Sequence, residues 1–481
     1  MDELVINMAT FKSVYSDSLY QDIYKALTEG ILNRWYPLVI DNRSGGYYTN
    51  VTADWTLPPV QDKMVVSQAR HIWTLSRMSG LFKQRHQFLQ MAAHGFPFMK
   101  NFMWDQRYGG FFQARSADGG LSDCEGWMDE KRAYGNAFAI YGLAALYSQT
   151  RNPEVLQLAQ ESFRWLESKG WDDEFGGYFQ FYQRDGQVFD QNSVYRSHAT
   201  DEPEVGFKDQ NSSIHLLEAF TELLPHWNHP VLRSRLTTML LLIRDRMTTE
   251  KGYLNLFFDR QWNPVRRITK RSGYSATDYR LDHISFGHDY ETAFLLLEAS
   301  HVLGLYQDDK TLWTAKKMVD HSILNGFDHE TGGFYDGGQY IDGQMVILKS
   351  TKNWWAQAEA LNILLIMSEI FPEEPVYAET FLKQWDYVTR YVLDPVKGDW
   401  FEGGIDKEPH FVTGPKSHIW KCTYHTGRAL SNLLGILARP EYEVVRENPG
   451  ILEHQSSLRS LINHWTQVKN RSELVSIGSN A

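Results

Sequence analysis

The sequence has 481 residues, of which 42% are hydrophobic and 14% aromatic, so it is long enough to bury one or two large cores. Its formal net charge of −11 argues against a nucleic-acid partner and against binding to an anionic membrane, because no positive field attracts phosphate groups. The chain has two cysteines, no basic and apolar leader and no apolar run that could cross a bilayer. We therefore predict a soluble, cytoplasmic protein without a disulfide framework.

A short motif recurs along the chain: an acidic residue is followed four residues later by two glycines and then by aromatic residues. Four full copies begin at Asp41, Asp105, Asp172 and Asp328, and two degenerate copies begin at Glu250 and Asp394. Aspartate can close a turn and glycine adopts a positive φ at no steric cost. Each copy is therefore predicted to form a tight turn followed by a short strand.

Apolar residues with helical spacing fill the segments between these turns. Clear examples are residues 137–147, 212–224, 292–303, 356–370 and 426–437. Six units of helix, Gly-Gly turn and helix predict an all-α (α/α)6 barrel, a toroid of six helical hairpins with short β-turn and strand connections; an open solenoid is the alternative. We assign residues 1–440 to this single catalytic domain and residues 441–481, which lack the motif, to a polar C-terminal extension.

In chain order, the first polar residue that stands out is Arg70. It lies among apolar helical positions, where an unpaired guanidinium would be costly, so it is predicted either to form a structural salt bridge or to hold an oxyanion. Further along, Trp354 and Trp355 are followed by Glu359, and Trp420 precedes a histidine. These indoles are predicted either to pack in the core or to stack on the faces of sugar rings.

Three histidines lie near the starts of helices that belong to different units. Each has a charged residue three positions later, on the same face of its helix. The pairs are His215 with Glu218, His288 with Glu291, and His425 with Arg428, and Asn211 lies one turn before His215. In a toroid, alternate helices form an inner ring whose starts meet at one end. The three imidazoles are therefore predicted to converge on a central pocket.

Two or three imidazoles, an arginine and aromatic walls suit the removal of a proton from a carbon next to a carbonyl. Imidazole can act as base or acid near neutral pH, and a helix N-terminus disfavours its charged form. An arginine can stabilise the oxygens of the resulting enediolate. The sequence contains neither a dinucleotide-binding nor a phosphate-loop motif, so we predict a reaction without a cofactor.

Six segments together resemble the N-acylglucosamine 2-epimerase superfamily, and most of all its cellobiose 2-epimerase branch. They are residues 69–73, 134–141, 211–215, 287–291, 354–359 and 421–425 followed by Arg428. The resemblance implies an (α/α)6 barrel and a metal-free epimerisation at C2 of a reducing sugar through a cis-enediol.

The same resemblance implies roles for individual residues. His288 and His425 would be the acid and base at C2, and His215 would assist ring opening. Arg70 and Asn211 would hold sugar oxygens, Glu291 would orient His288, and Trp420 would stack on the sugar. The predicted substrate-binding set is completed by Tyr134, Glu218, Trp355, Glu359 and Arg428.

We predict a sugar 2-epimerase that acts on cellobiose or a similar β-1,4-disaccharide, or on free mannose or glucose, as a monomer or homodimer with small-molecule partners alone. The main alternative is an aldose–ketose isomerase that acts on mannose through the same enediol. An inverting glycosidase could use Glu291, Glu359 and Asp209, and His215 and His288 with their glutamates could form a metal site. A non-catalytic sugar-binding module is the last alternative. Insertions at 185–210 and 260–283 leave the substrate length open.

Overall fold

A computed structural model of the protein describes residues 14–122, 124, 127–189, 208–265, 268–269, 279–280 and 282–479. The middle parts of the two predicted insertions, 185–210 and 260–283, lie outside these residues. No described helix combines the length and the apolar character that crossing a bilayer requires.

Twelve helices of the described chain form two concentric rings. In chain order they are α1 (Asp17–Lys25), α2 (Val65–Leu81), α3 (Arg85–Phe98), α4 (Ala133–Thr150), α5 (Pro153–Lys169), α6 (Gln210–Leu223), α7 (Pro230–Leu242), α8 (Phe286–Leu303), α9 (Asp309–Gly326), α10 (Trp354–Ile370), α11 (Pro375–Tyr391) and α12 (Tyr424–Leu437). Even-numbered helices form the inner ring and odd-numbered helices the outer ring. Each inner helix packs against its two inner neighbours, and α12 packs against α2. This closure confirms the predicted (α/α)6 barrel.

Burial explains why the two rings differ in sequence. The inner helices are covered on nearly every side, and α4, α8 and α10 are apolar around most of their circumference. The outer helices bury one face, as α5 does through Val155, Leu158 and Phe163. Three outer helices, α1, α3 and α7, end in π-helical turns at Ala26–Leu32, Met99–Met103 and Ile243–Met247.

Short antiparallel strands join neighbouring units where the inner helices begin. They are β1 (Lys63–Met64), β2 (Ala114–Arg115), β3 (Lys131–Arg132), β4 (Phe181–Tyr182), β5 (Lys208–Asp209), β6 (Phe257–Phe258), β7 (Ile268–Thr269), β8 (Tyr279–Arg280), β9 (Ile284–Ser285), β10 (Gly337–Ile341) and β11 (Gln344–Lys349). Strands pair as β1–β2, β3–β4, β5–β6, β7–β8 and β9–β10–β11, with Lys63 opposite Arg115. A strand ahead of an inner helix thus pairs with the strand that follows the next turn motif.

Each aspartate of five turn motifs is bound by a buried lysine, an arrangement that we call the lysine clasp. The pairs and their Oδ–Nζ distances are Asp41–Lys63 at 2.7 Å, Asp105–Lys131 at 3.0 Å, Asp172–Lys208 at 2.8 Å, Asp328–Lys352 at 3.0 Å and Asp394–Lys416 at 2.7 Å. In each clasp the ammonium also donates to the carbonyl oxygen of the first glycine of the turn. The clasp ties the turn of one unit to the segment that leads into the next inner helix.

A side-chain amide in the fourth residue of several inner helices holds the aromatic residue after the glycines. Gln68 accepts from the backbone N–H of Tyr47 at 2.8 Å and donates to its carbonyl at 2.9 Å. Gln357 makes the same two bonds with Phe334. In α8 the fourth residue is Asp289, whose Oδ1 accepts from the N–H of Leu254 at 2.9 Å. Its Oδ2 is buried and has no hydrogen-bond partner among the described residues.

The substitution Asp289→Asn is expected to stabilise the protein increasingly as the pH rises from about 5 to about 8. Burial raises the pKa of Asp289 well above its usual range, so the folded protein binds this proton more tightly than the unfolded chain. Below the unfolded pKa of about 3.9, Asp289 is protonated in both the folded and the unfolded wild type, so the contribution of this proton to stability is complete. As the pH rises towards the folded pKa, the unfolded chain loses the proton first, and the folded wild type becomes less stable by up to about 1.4 kcal/mol per pH unit. Urea unfolding of both proteins across this range measures the difference, and a difference independent of pH would contradict the expectation.

The segment after α12 forms two further helices, α13 (Glu443–Glu447) and α14 (Gly450–Ser479). Helix α14 packs against α2, α8, α10 and α12. It buries Ile451, Leu461, Ile462, Trp465 and Val468 and leaves its other face polar. Arg459 donates to the carbonyl oxygen of Ile436 at 3.1 Å, near the end of α12. The C-terminal extension therefore covers the barrel end at which the inner helices finish.

Candidate active site

A cavity of about 210 Å³ lies at the opposite end, where the inner helices begin. It is lined by Arg70, Tyr134, Asn211, His215, His288, Glu291, Trp354, Trp355, Trp420 and His425. Tyr134, Asn211, Trp355 and His425 are second residues of their helices, and Arg70, His215 and Glu291 are sixth residues. Positions four apart share one helix face, so the inner ring presents two layers of side chains to the cavity.

The structure brings together the residues that the sequence indicates. All three predicted histidines line the cavity, together with Arg70, Tyr134, Asn211, Glu291, Trp355 and Trp420. The other three predicted residues, Glu218, Glu359 and Arg428, are buried and do not line it. They lie beneath the cavity and contact His215, His425 and Glu291.

Arg428 is the centre of this buried floor. Its Nη2 lies 2.7 Å from Oε1 of Glu291 and 2.7 Å from Oε1 of Glu359, and its Nη1 contacts Glu218. One guanidinium therefore faces three carboxyl groups in a region without solvent. Removing one member of such a buried group leaves the others uncompensated, which is strongly destabilising.

The carboxyl groups in turn hold two of the histidines. Nδ1 of His215 lies 2.8 Å from Oε2 of Glu218, and Nδ1 of His425 lies 2.7 Å from Oε1 of Glu359. Burial opposes ionisation of Glu218, but Arg428 and the bond from His215 lower its pKa to about 2. An ionised Glu218 accepts a hydrogen bond from Nδ1 of His215, and in the neutral form of that ring Nε2 is then the nitrogen that can accept a proton.

Burial also sets the ionisation states of Glu359 and His425. Burial raises the pKa of Glu359 to about 8 despite the opposing charge of Arg428. Burial, followed by the charge of Arg70, lowers the pKa of His425 well below its usual value. The contact between Glu359 and His425 therefore holds one proton, and the imidazole stays uncharged at neutral pH.

His288 has a different partner from the one that the resemblance implied. Its Nδ1 lies 2.8 Å from Oγ of Ser285, whereas Glu291 bonds to Arg428, so the expectation that Glu291 orients His288 is wrong. Burial is the main reason that the pKa of His288 falls to about 3. The indole of Trp355 lies 4.9 Å from the ring of His288 and 5.7 Å from that of His425. The sequence offered one signal for Ser285, its position three residues before His288.

Arg70 is held by uncharged groups. Its Nη1 donates to the carbonyl oxygen of Trp420 at 3.1 Å and its Nη2 to the hydroxyl of Tyr134 at 3.0 Å. The guanidinium stacks on Phe138, with 4.4 Å between Cζ and the ring centre. The structural salt bridge that the sequence allowed does not form with any described residue, so the charge of Arg70 faces the cavity without a carboxylate partner.

The described residues contain one group of side chains that could jointly hold a metal ion: Glu291, Glu359 and His425, whose ligand atoms lie within 4.8 Å of one another. The guanidinium of Arg428 already bridges the two glutamates of this group. The metal set that the sequence offered, His215 and His288 with Glu218 and Glu291, does not assemble among these residues.

An outer chamber of about 340 Å³ adjoins the cavity and shares Tyr134, Asn211, His288, Trp355 and Trp420 with it. Its further walls include Arg132, Gln180, Asp209, His283, Asp336, Lys349 and Asn353. These residues come from the strands and loops that precede the inner helices. Sequence reasoning missed most of them because strands of two residues have no recognisable hydrophobic period.

Comparison with known proteins agrees with this arrangement. The family model for N-acylglucosamine 2-epimerase (GlcNAc 2-epimerase) matches residues 46–429. The chain is 27% identical over 426 residues to the cellobiose 2-epimerase of Bacteroides fragilis. This alignment covers 87% of the chain and 99% of that relative.

Two solved structures share the fold. The cellobiose 2-epimerase of Bacillus thermoamylovorans B4167 superposes with a TM-score of 0.75 at 23% identity, covering 87% of this chain and 99% of that one. A D-mannose isomerase superposes with a TM-score of 0.70 at 19% identity, covering 87% and 98%. The family model extends over most of the chain, from before α2 into the first turns of α12. The chain belongs to the N-acylglucosamine 2-epimerase family and is a sugar 2-epimerase, an enzyme of the isomerase class.

Proposed function

We propose that the protein interconverts the glucose and mannose configurations at C2 of the reducing sugar in a β-1,4-linked disaccharide such as cellobiose. The observation that carries this proposal is the convergence of His215, His288 and His425 on one cavity. His288 and His425 lie on different helices, so they can approach one sugar carbon from different sides. The Bacteroides fragilis relative is named for the same activity.

In the proposed reaction, His288 and His425 exchange the C2 proton. One imidazole takes the proton from C2, and the electron pair of the broken C–H bond forms the C1–C2 double bond of the enediolate. The other imidazole returns a proton from its N–H group to the opposite face of C2, and when this ring is His425 its Nδ1 takes up the proton of Glu359. After one turnover one ring has gained a proton and the other has lost one, and exchange with solvent or through His215 restores the starting state. Oε1 of Glu359 lies 2.7 Å from Nδ1 of His425, close enough for this transfer.

Arg70 supports the charged intermediate. The enediolate carries negative charge on O1, and the guanidinium has no described carboxylate partner that competes for it. A fixed donor in a site sheltered from water stabilises developing charge more strongly than solvent does. His215 has a free Nε2 when Nδ1 donates to Glu218, so it can accept the proton of the C1 hydroxyl as the sugar ring opens.

The outer chamber supports a disaccharide as the substrate. The inner cavity of about 210 Å³ has room for one sugar ring, and the outer chamber of about 340 Å³ continues it towards the strands that precede the inner helices. Trp355 and Trp420 border both spaces and offer flat apolar faces to sugar rings. The polar side chains of the outer chamber can bond to the hydroxyl groups of a second sugar.

The carboxyl geometry disfavours an inverting glycosidase. Such enzymes hold their two carboxyl groups about 6.5–9.5 Å apart to admit a water molecule. Oxygens of Glu291 and Glu359 lie within 4.8 Å of each other, and both groups are bonded to Arg428. Asp209 caps α6 by accepting from the N–H of Ser212 at 2.9 Å.

Incubation of the enzyme with cellobiose in deuterated water tests the proposal. The expected product is the disaccharide with mannose at its reducing end and with deuterium at C2, detected by NMR and mass spectrometry. Free cellobiose, glucose and mannose are compared at equal concentration, and the disaccharide is expected to have the highest kcat/KM. A ketose as the main product would assign the aldose–ketose isomerase activity instead, and release of monosaccharides would assign a hydrolase.

A further inference from the structure

The last turn motif of the barrel lacks the second glycine that the four full copies share. The second glycine of the four full copies is Gly46, Gly110, Gly177 or Gly333, and the last copy has Asp399 there with a φ of +61°. A Cβ atom added to the four glycines would come within 2.3 to 2.5 Å of a neighbouring side chain. The first three barrel units and the fifth therefore exclude a side chain at this position, whereas the last unit accommodates one in the left-handed region, where L-residues are disfavoured.

The carboxylate of Asp399 is engaged in a buried ion pair. Its Oδ2 lies 2.8 Å from Nζ of Lys421, and both side chains are almost completely buried, with 3% and 1% of their surface exposed. The same ammonium donates to the carbonyl oxygens of Trp400 at 2.9 Å and Lys416 at 2.7 Å. All three of its protons are thus bonded, and the ion pair connects the turn to the loop that leads into α12.

This ion pair replaces a contact that other units make with the inner helix itself. In α2 and α10, Gln68 and Gln357 hold the aromatic residue of the turn from the fourth helical position. The fourth residue of α12 is Gly427, which has no side chain. In this unit Lys421 bonds to the aromatic residue Trp400 instead, from the loop before the helix.

The loop held in this way contributes directly to the cavity. Trp420, adjacent to Lys421, lines both chambers, and its carbonyl oxygen accepts the bond from Arg70 at 3.1 Å. Its ring lies 6.2 Å from that of Tyr134. A shift of this loop would move the indole and one of the two hydrogen-bond partners of Arg70 together.

We propose that Asp399 and Lys421 are a positioning pair that sets the place of Trp420 and thereby the affinity for the sugar. The inference rests on the proposed function, because it assumes that Trp420 and Arg70 bind the substrate. It explains why the last turn carries a disfavoured aspartate where four other turns carry glycine. The pair holds Trp420 directly, whereas Arg70 keeps its bond to Tyr134 if the loop shifts, so the main contribution of the pair is to binding.

The substitution Asp399→Gly tests the inference, because it restores the glycine of the other turns and removes the carboxylate. We expect KM for cellobiose to rise about tenfold while kcat changes less than about twofold. The dissociation constant, measured by tryptophan fluorescence, should rise by the same factor. If Asp399 were merely a turn residue, glycine would relieve backbone strain, leave both constants unchanged and maintain or raise the melting temperature. That result would overturn the inference.

Two further variants distinguish an effect on substrate affinity from a loss of folding. Asp399→Asn keeps an acceptor for Lys421 and a residue that tolerates positive φ, so it should restore KM to within about threefold of the wild type. The double variant Asp399→Gly with Lys421→Met removes the unpaired buried charge and should fold while keeping the raised KM. A double variant with wild-type KM would contradict the positioning role.

A matched control is available at Asp342, another aspartate with positive φ, +49°, at the exposed tip between β10 and β11. Asp342→Gly should leave KM and the dissociation constant unchanged. The two proposals fail in different ways. Wild-type enzyme without C2 exchange would overturn the proposed function, whereas an active wild type with unchanged cellobiose affinity in Asp399→Gly would overturn the positioning role.

Discussion

Alanine in place of His288 or His425 is expected to lower C2 proton exchange with cellobiose by about 10²- to 10⁴-fold, the usual contribution of a general acid or base. Both rings border the cavity beside Trp355, and burial keeps both uncharged and able to accept a proton. Exchange is measured by NMR as deuterium incorporation at C2, starting separately from the glucose-configured and mannose-configured disaccharides.

Loss of activity must be separated from loss of folding. Both variants should keep the circular dichroism spectrum of the wild type, because each substitution removes one ring from the wall of a cavity and not from the packed core. His226→Ala is a suitable control, since His226 lies beyond the end of α6 and away from the cavity. Exchange retained at the wild-type rate in either cavity variant would count against the two-histidine scheme.

Replacement of Arg428 by methionine is expected to reduce the free energy of unfolding by about 3–5 kcal/mol, the cost of leaving buried charges without a partner. The guanidinium bonds to Glu218, Glu291 and Glu359, none of which is exposed. Without it, these carboxyl groups must take up protons or draw in water, and their contacts with His215 and His425 weaken. Urea unfolding followed by tryptophan fluorescence measures the loss.

Two comparisons make this result specific. Arg390→Met removes an exposed ion pair with Asp386 and should change the unfolding free energy far less, because solvent screens such pairs. Glu359→Gln removes one of three carboxyl groups from one guanidinium and keeps its shape, so it should also be milder than the loss of Arg428. A small effect of Arg428→Met, comparable to that of Arg390→Met, would show that the floor is not held by this charge.

The barrel could be predicted because its signals are local. Helical spacing in 137–147 and 356–370 and the recurring glycine turns each involve residues close in sequence. The predicted helices nevertheless begin too late: α4 starts at Ala133 and α10 at Trp354. The first turns of inner helices carry polar residues of the cavity, so they interrupt the hydrophobic pattern that identifies a helix.

The partners of the site residues could not be predicted in the same way. His425 bonds to Glu359, 66 residues earlier, and Arg428 bonds to Glu218, 210 residues earlier. Spacing along one helix suggests contacts three or four residues apart, which proved correct for His215 with Glu218 and wrong for His288 with Glu291. The lysine clasps could not be predicted for the same reason, since each lysine lies 22 to 36 residues after the aspartate that it binds.

The sequence by itself determined the class of fold and the chemical groups that meet at the starts of the inner helices, because turn residues and helical periodicity act over short stretches of chain. Only the tertiary structure decided which charge neutralises which, since closure of the ring brings α6, α8, α10 and α12 around Arg428. Ring closure also removes water from these groups, and removal of water sets the pKa values of His288, His425 and Glu359.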